Sequence, residues 1–202
     1  MIFFVYTADA YHNMRLKHQA RAIQTRLNRT EKHQLAYPSK EDYPLKTLKP
    51  GETLYIIGHG NKDNPSLSGL SVKQLYNLLI ENGLNIHLKS LRLFLICCHA
   101  GFKPSKLEYS YSEKLYQLIT NNLSDLELHH RYKEETLPKV VAPKHVIRLT
   151  AADPNYMGIP QEQYTEYETI RSVAPSSLDK WLTENATPLK KDDFEFTSLP
   201  CL

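Results

Sequence analysis

Two apolar runs in this chain stop abruptly at side chains that can do chemistry. Leu54–Ile57 gives way to Gly58-His59-Gly60, and Leu91–Ile96 gives way to Cys97-Cys98-His99-Ala100-Gly101. A thiol attacks a carbonyl as its thiolate, and a nearby imidazole accepts the proton or stabilises the anion. Acyl transfer also needs donors for the oxyanion that develops, and backbone N–H groups at a turn supply them. Gly60 has no Cβ, so its N–H can approach a substrate carbonyl closely. The Cys98 N–H, at a turn after the second run, is the natural second donor, and Ala100 and Gly101 leave the approach uncluttered. Nucleophile, base and oxyanion hole all have candidates here.

Each of these residues also has a plainer reading. A histidine at a strand-to-loop junction is more often a hydrogen-bonded structural residue, and a cysteine ending a strand is more often a small packed hydrophobe. The functional reading gains from the combination: both stops follow apolar strands, and both are followed by small residues. Strand alternation points Cys97 away from Cys98, which makes packing its expected role. A metal site from His59, Cys97, Cys98 and His99 is disfavoured, because no C-x2-C or H-x3-H spacing is present and adjacent ligands are awkward. G-x-S-x-G, the mark of an α/β-hydrolase, is absent.

The elements that must position these residues follow from periodicity. Ile2–Tyr6, Thr53–Ile57 and Leu91–Ile96 read as buried strands. Leu16, Ala20, Ile23 and Leu27 recur at helical spacing beside Arg15, Lys17, Arg21, Arg26 and Arg29. Ser71 with Gln74 forms a capping box for a helix whose face is Val72, Leu75, Leu78 and Leu79, ending near Gly83. Ser112–Asn122 predicts another helix, with Leu115, Leu118 and Ile119 on one side. Val146–Thr150 reads as a fourth strand and Ser176–Glu184 as a short helix near Trp181. The polar stretch Leu123–Lys144 carries no assignable period, and the last dozen residues read as irregular. Strands alternating with helices imply βαβ units and a mostly parallel sheet covered on both faces. In such sheets the carboxyl ends of the strands build the functional crevice, so His59 and Cys98 emerge on one rim.

Composition narrows the class. The chain has 202 residues, 41% of them hydrophobic and 23% charged, which fits one globular domain with a sizeable core. Its 25 Lys and Arg against 22 Asp and Glu leave a net charge of +3, too small to call for nucleic acid even with 13 tyrosines. No stretch approaches the roughly 20 apolar residues of a membrane span. The start Met-Ile-Phe-Phe-Val-Tyr lacks a basic n-region and reads as a strand. Cys97, Cys98 and Cys201 make a poor disulfide framework, so free thiols in a reducing compartment are expected. His129-His130, in a polar stretch, reads as exposed.

"LYIIGHG" and "LICCHAG" resemble the corresponding segments of the caspase-like (clan CD) cysteine peptidases, including CHAT-domain peptidases and the self-processing protease domains of bacterial toxins. The resemblance spans about residues 2–150 as a strand order and aligns the nucleophile with Cys98, leaving Cys97 in a position that is usually small. It implies an α/β fold, a caspase-like three-layer αβα sandwich with a mostly parallel central sheet. One peptidase domain would then fill residues 1–202, with an irregular extension from about 185. It further implies a cysteine endopeptidase acting on a protein or peptide substrate through a Cys98–His59 dyad and a thioester acyl-enzyme, with Gly60 and Cys98 as oxyanion donors. A strand at His145–Gly158 would line the substrate groove, with Asp153 as a candidate for a basic P1 preference. No cofactor or metal is implied, save a possible inositol phosphate activator for which Lys190-Lys191 and the basic first helix supply charge. The expected setting is a cytoplasm, or a host cytosol reached by a bacterial effector or toxin. The alternative is a caspase-like interaction module that has lost catalysis.

Overall fold

Runs that are apolar on both faces can be buried only in a sheet covered from both sides, and these runs form one. The computed structural model describes residues 1–8, 34–39, 41–61, 63–144 and 194–197, and the single positions 13, 16, 17, 20, 24 and 184. Six strands are present among them: β1 (Ile2–Phe4), β2 (Leu35–Ala36), β3 (Thr53–Ile57), β4 (Arg92–Ile96), β5 (Lys139–Pro143) and β6 (Phe194–Thr197). Their order is β2-β1-β3-β4-β5-β6. The pairings from β2 to β5 are parallel, and β6 closes the edge antiparallel to β5.

The pleat divides the core into two layers. Phe3, Leu54, Ile56, Leu93 and Leu95 face one side, where they pack with Leu75 and Leu79 of α1 (Val72–Glu81) and Leu115 and Ile119 of α2 (Tyr111–Thr120). Ile2, Phe4 and Ile57 face the other, against Leu16 and Ala20 of the helical segment that follows β1. Helix, sheet and helix make the αβα sandwich expected from the sequence, with a mostly parallel sheet. No helix among the described residues is long and apolar enough to cross a membrane.

The helices begin where their caps dictate. Ser71 and Gln74 form the predicted capping box, with the Ser71 N–H donating to Gln74 Oε1 at 2.9 Å. Ser110 with Glu113 and Ser124 with Glu127 repeat it at α2 and at α3 (Asp125–Lys133). Each box satisfies N–H groups that a helix start leaves open.

Several elements depart from the sequence reading. The unassigned stretch 123–144 holds both α3 and β5. Helix α3 was hidden because its one buried residue is Arg131, whose guanidinium donates to the carbonyls of His87 at 2.7 Å and Leu88 at 3.2 Å. Strand β5 takes the place beside β4; Val146–Thr150, the strand expected next, lies outside the described residues, as does all of Ser176–Glu184 but its last residue. The final stretch is not wholly irregular. Phe-Glu-Phe-Thr at 194–197 alternates with period two and pairs with β5 from Val140 to Pro143.

Candidate active site

Parallel pairing sets the two reactive stops side by side. β3 and β4 run in one register from Thr53 beside Arg92 to Ile57 beside Ile96, so His59 and Cys98, each two residues further on, leave the sheet at the same rim. The ladder does continue past the strands, since the Gly58 N–H donates to the Ile96 carbonyl at 3.3 Å. Ile57 and Ile96 belong to the layer that holds Leu16 and Ala20, and His59 and Cys98 follow them just beyond the strand ends. Both residues are half-buried, which leaves them open to a substrate.

The main chains then touch. A Cβ on Gly60 would overlap the Cys98 carbonyl oxygen and lie 2.9 Å from the Cys98 nitrogen. Gly60 is therefore demanded by contact between the two loops. Among the described residues nothing accepts from the Gly60 N–H. Gly58, two residues earlier, is as tightly packed, because a Cβ there would overlap Leu67 Cδ2 and come 2.8 Å from Ser68 Oγ.

Ser68 holds the histidine. Its Oγ accepts from the His59 N–H at 3.1 Å and donates to the Val5 carbonyl at 2.8 Å, while its own N–H donates to the His59 carbonyl at 2.6 Å. Ser68 does this from left-handed backbone, φ 53°, with Gly69 following at φ 82°. One side chain thereby ties the histidine loop to β1.

The cysteine sits on a tight turn. The Ala100 N–H donates to the Cys97 carbonyl at 3.2 Å, the Phe102 N–H to His99 at 2.9 Å, and the Gly101 N–H to Pro143 at 2.9 Å. Ser112, in the first turn of α2, donates its N–H to Ala100 at 3.0 Å. His99 makes the bend possible with φ 60°, an uncommon conformation for a non-glycine residue. Its Nδ1 lies 3.3 Å from the Lys144 carbonyl and its ring meets Phe102 edge-on, so it braces the turn.

The two cysteines differ sharply in environment. Cys97 is buried in the α1/α2 layer at 2% exposure, with its thiol 3.8 Å from the Ser66 carbonyl. Burial first, and Cys98 beside it second, push its pKa well above the ordinary 9.0. A thiol held protonated that way is a poor nucleophile. Cys98 is the thiol that can be reached.

The structure thus sets Gly60 against the Cys98 main chain with His59 next to it in the chain, sends Cys97 into the core and turns His99 toward Lys144. Asp153 and Lys190-Lys191 lie outside the described residues, as do all the residues of the basic first helix named above except Leu16, Lys17 and Ala20. His129 and His130 are exposed on α3. Sequence reading missed Ser68; a Leu-Ser-Gly-Leu turn directly after the histidine loop was its only signal. The loops after β3 and β4 also border an open cleft of about 860 Å³ lined in part by Pro65, Val72, Phe102, Leu107, Tyr109 and Tyr111.

A caspase-like sandwich with a histidine and a turn-borne cysteine on one rim defines a class, the cysteine peptidases. The chain matches the Peptidase C80 family over residues 5–132, well over half its length, and belongs to that family. The protein is accordingly a cysteine peptidase, a hydrolase acting on peptide bonds, and its substrate is protein. No curated protein matches it at a significant level.

Proposed function

We propose that this peptidase is an endopeptidase whose nucleophile is Cys98 and whose base is His59. Cys98 sulfur attacks the scissile carbonyl as its proton passes to the His59 imidazole. The C=O electrons move onto oxygen, and the Gly60 and Cys98 N–H groups take up that charge. Collapse expels the amine, which leaves with the proton from His59, and a thioester joins substrate to Cys98. Water, deprotonated by His59, then hydrolyses the thioester and restores the thiol.

The observation that carries this reading is the contact of Gly60 with the Cys98 main chain. It sets the residue after the histidine directly on the nucleophile's peptide unit, as a shared oxyanion site needs. We further propose a self-processing, toxin-like effector setting, which agrees with the family. The test is cleavage of a peptide library, with a thiol-directed peptide probe as a second readout. Cys98→Ala should abolish both signals, and Cys97→Ala should leave them within a fewfold of wild type. Loss with Cys97→Ala alone would move the nucleophile one residue back and overturn the assignment.

A further inference from the structure

The row across the rim has a third member. Phe4 pairs with Ile57, which pairs with Ile96, and two residues onward these become Tyr6, His59 and Cys98. The ladder persists here as well, with the Val5 N–H donating to the Ile57 carbonyl at 2.9 Å. Tyr6 lies on the face of Phe4, their rings meeting edge-on at 4.8 Å, and so borders the layer of Ile57 and Ile96, the residues that lead into His59 and Cys98. At ~4.8 Å per strand, the Tyr6 and Cys98 main chains are roughly 10 Å apart.

Tyr6, just beyond the end of β1, is 41% exposed. It stacks on the half-buried Tyr37, with centroids 5.9 Å apart and planes 20° from parallel. The ammonium of Lys17 stands 5.5 Å from the Tyr6 ring centroid and is itself exposed. Among the described residues no carboxylate pairs with Lys17. The group is also held in place: the Thr7 N–H donates to Asn13 Oδ1 at 2.7 Å, and Asn13 Nδ2 donates to the Thr7 carbonyl at 2.8 Å. The clamp thus ties Thr7, the neighbour of Tyr6, to Asn13, which stands four residues before Lys17. Burial, with Tyr37 second, raises the Tyr6 phenol above its ordinary value, so its hydroxyl remains a donor.

We propose that Tyr6, Tyr37 and Lys17 form a subsite for an acidic side chain of the substrate, on the His59 side of the scissile bond. The two rings bed the aliphatic part of the side chain, and Lys17 with the Tyr6 hydroxyl takes the carboxylate. An extended peptide rises ~3.3 Å per residue, so the acidic residue falls within about three positions of the bond that breaks.

This subsite rests on the Cys98 assignment, so its test includes an arm that needs no turnover. Peptide pools with Glu, Gln or Lys fixed at one position are offered to the wild-type enzyme. Fluorescein-labelled copies are titrated against the Cys98→Ala protein by anisotropy. The Glu pool should be cleaved and bound best. Lys17→Met should lower kcat/KM for that pool about fivefold, the size of one solvent-exposed ion pair. Lys17→Glu should transfer the preference to the Lys pool, and Tyr6→Ala should weaken binding of every pool. Lys139→Glu makes the same charge change at the opposite rim and should leave the preference alone. Equal binding of the three pools overturns the subsite, as does cleavage with a Lys17→Glu profile like the wild type; the latter leaves Cys98 assigned. Binding that depends on Lys17 without any cleavage supports the subsite and removes the Cys98 assignment.

Discussion

Gly60 has no side chain because the Cys98 carbonyl already fills the space a Cβ would need. Gly60→Ala must therefore move one loop off the other, and it moves a proposed oxyanion donor with it. Losing such a donor costs about 10²–10³ in kcat, and a shift of about 1 Å costs about 10². We expect Gly60→Ala to reduce kcat/KM by at least about 10² while the far-ultraviolet circular dichroism stays native. Wild-type kcat/KM in that variant would show that Gly60 is there for packing alone. Ser68 acts at the same scale, with one hydroxyl fixing the histidine main chain to β1.

At the scale of elements, α3 is stitched to the turn before β4 by a buried arginine, beside the surface pairs His87–Glu127 and Lys89–Glu134. Arg131 is 4% exposed and supplies donors to two carbonyls, while the Ser90 N–H donates to Thr136 just beyond the helix. Arg131→Met keeps the length and removes the donors, which should cost about 2–4 kcal/mol in urea unfolding. This turn lies at the amino ends of the strands, so kcat/KM of the folded enzyme should hold. Unchanged stability would mean that water replaces the guanidinium. The same arginine explains what sequence reading could see. β1, β3, β4, α1 and α2 were legible because apolar side chains repeat with the period of the element. α3 was not, since its inward group is charged and its Leu126 is 79% exposed. β5 is five residues opening on lysine and ending on proline, and β6 is an alternation inside a charged tail. At the candidate site, the shared rim of β3 and β4, beyond which His59, Gly60 and Cys98 lie, was legible because parallel strands end together. Ser68 and Tyr6 were not: a left-handed turn sets the partners of the first, and the second reads like any core aromatic.

For the whole molecule, buried neutral acids set how stability depends on pH. Cys97 and Tyr111 both have pKa values raised by burial above their ordinary 9.0 and 10.0. The unfolded chain ionises at those ordinary values and the folded chain does not, so their contribution is intact below pH 9 and is lost as pH rises beyond. Each group costs up to ~1.4 kcal/mol per pH unit there, or about 3–5 °C in Tm. Cys97→Ala should flatten the fall of Tm that begins near pH 9, and Tyr111→Phe the fall beyond pH 10. Alkaline limbs that match the wild type would contradict this account. On the acid side, a hydrogen bond with His87, then one from the Ser124 N–H, draws the Glu127 carboxyl from 4.5 down to about 2. Its support is present above pH 4.5 and fades as pH falls toward 2, and because the group is exposed that limb should be shallow.

The adjacent cysteines also make this protein its own clock for unfolding. A small alkylating reagent meets Cys98 in the folded state, but it meets Cys97 only when the sheet comes away from α1 and α2. Trypsin cuts after Arg92 and, because Pro104 shields Lys103, next after Lys106, so a single tryptic fragment carries the two marks. The rate at which the second mark appears, divided by the rate for an open thiol, gives the free energy of opening in water without any denaturant.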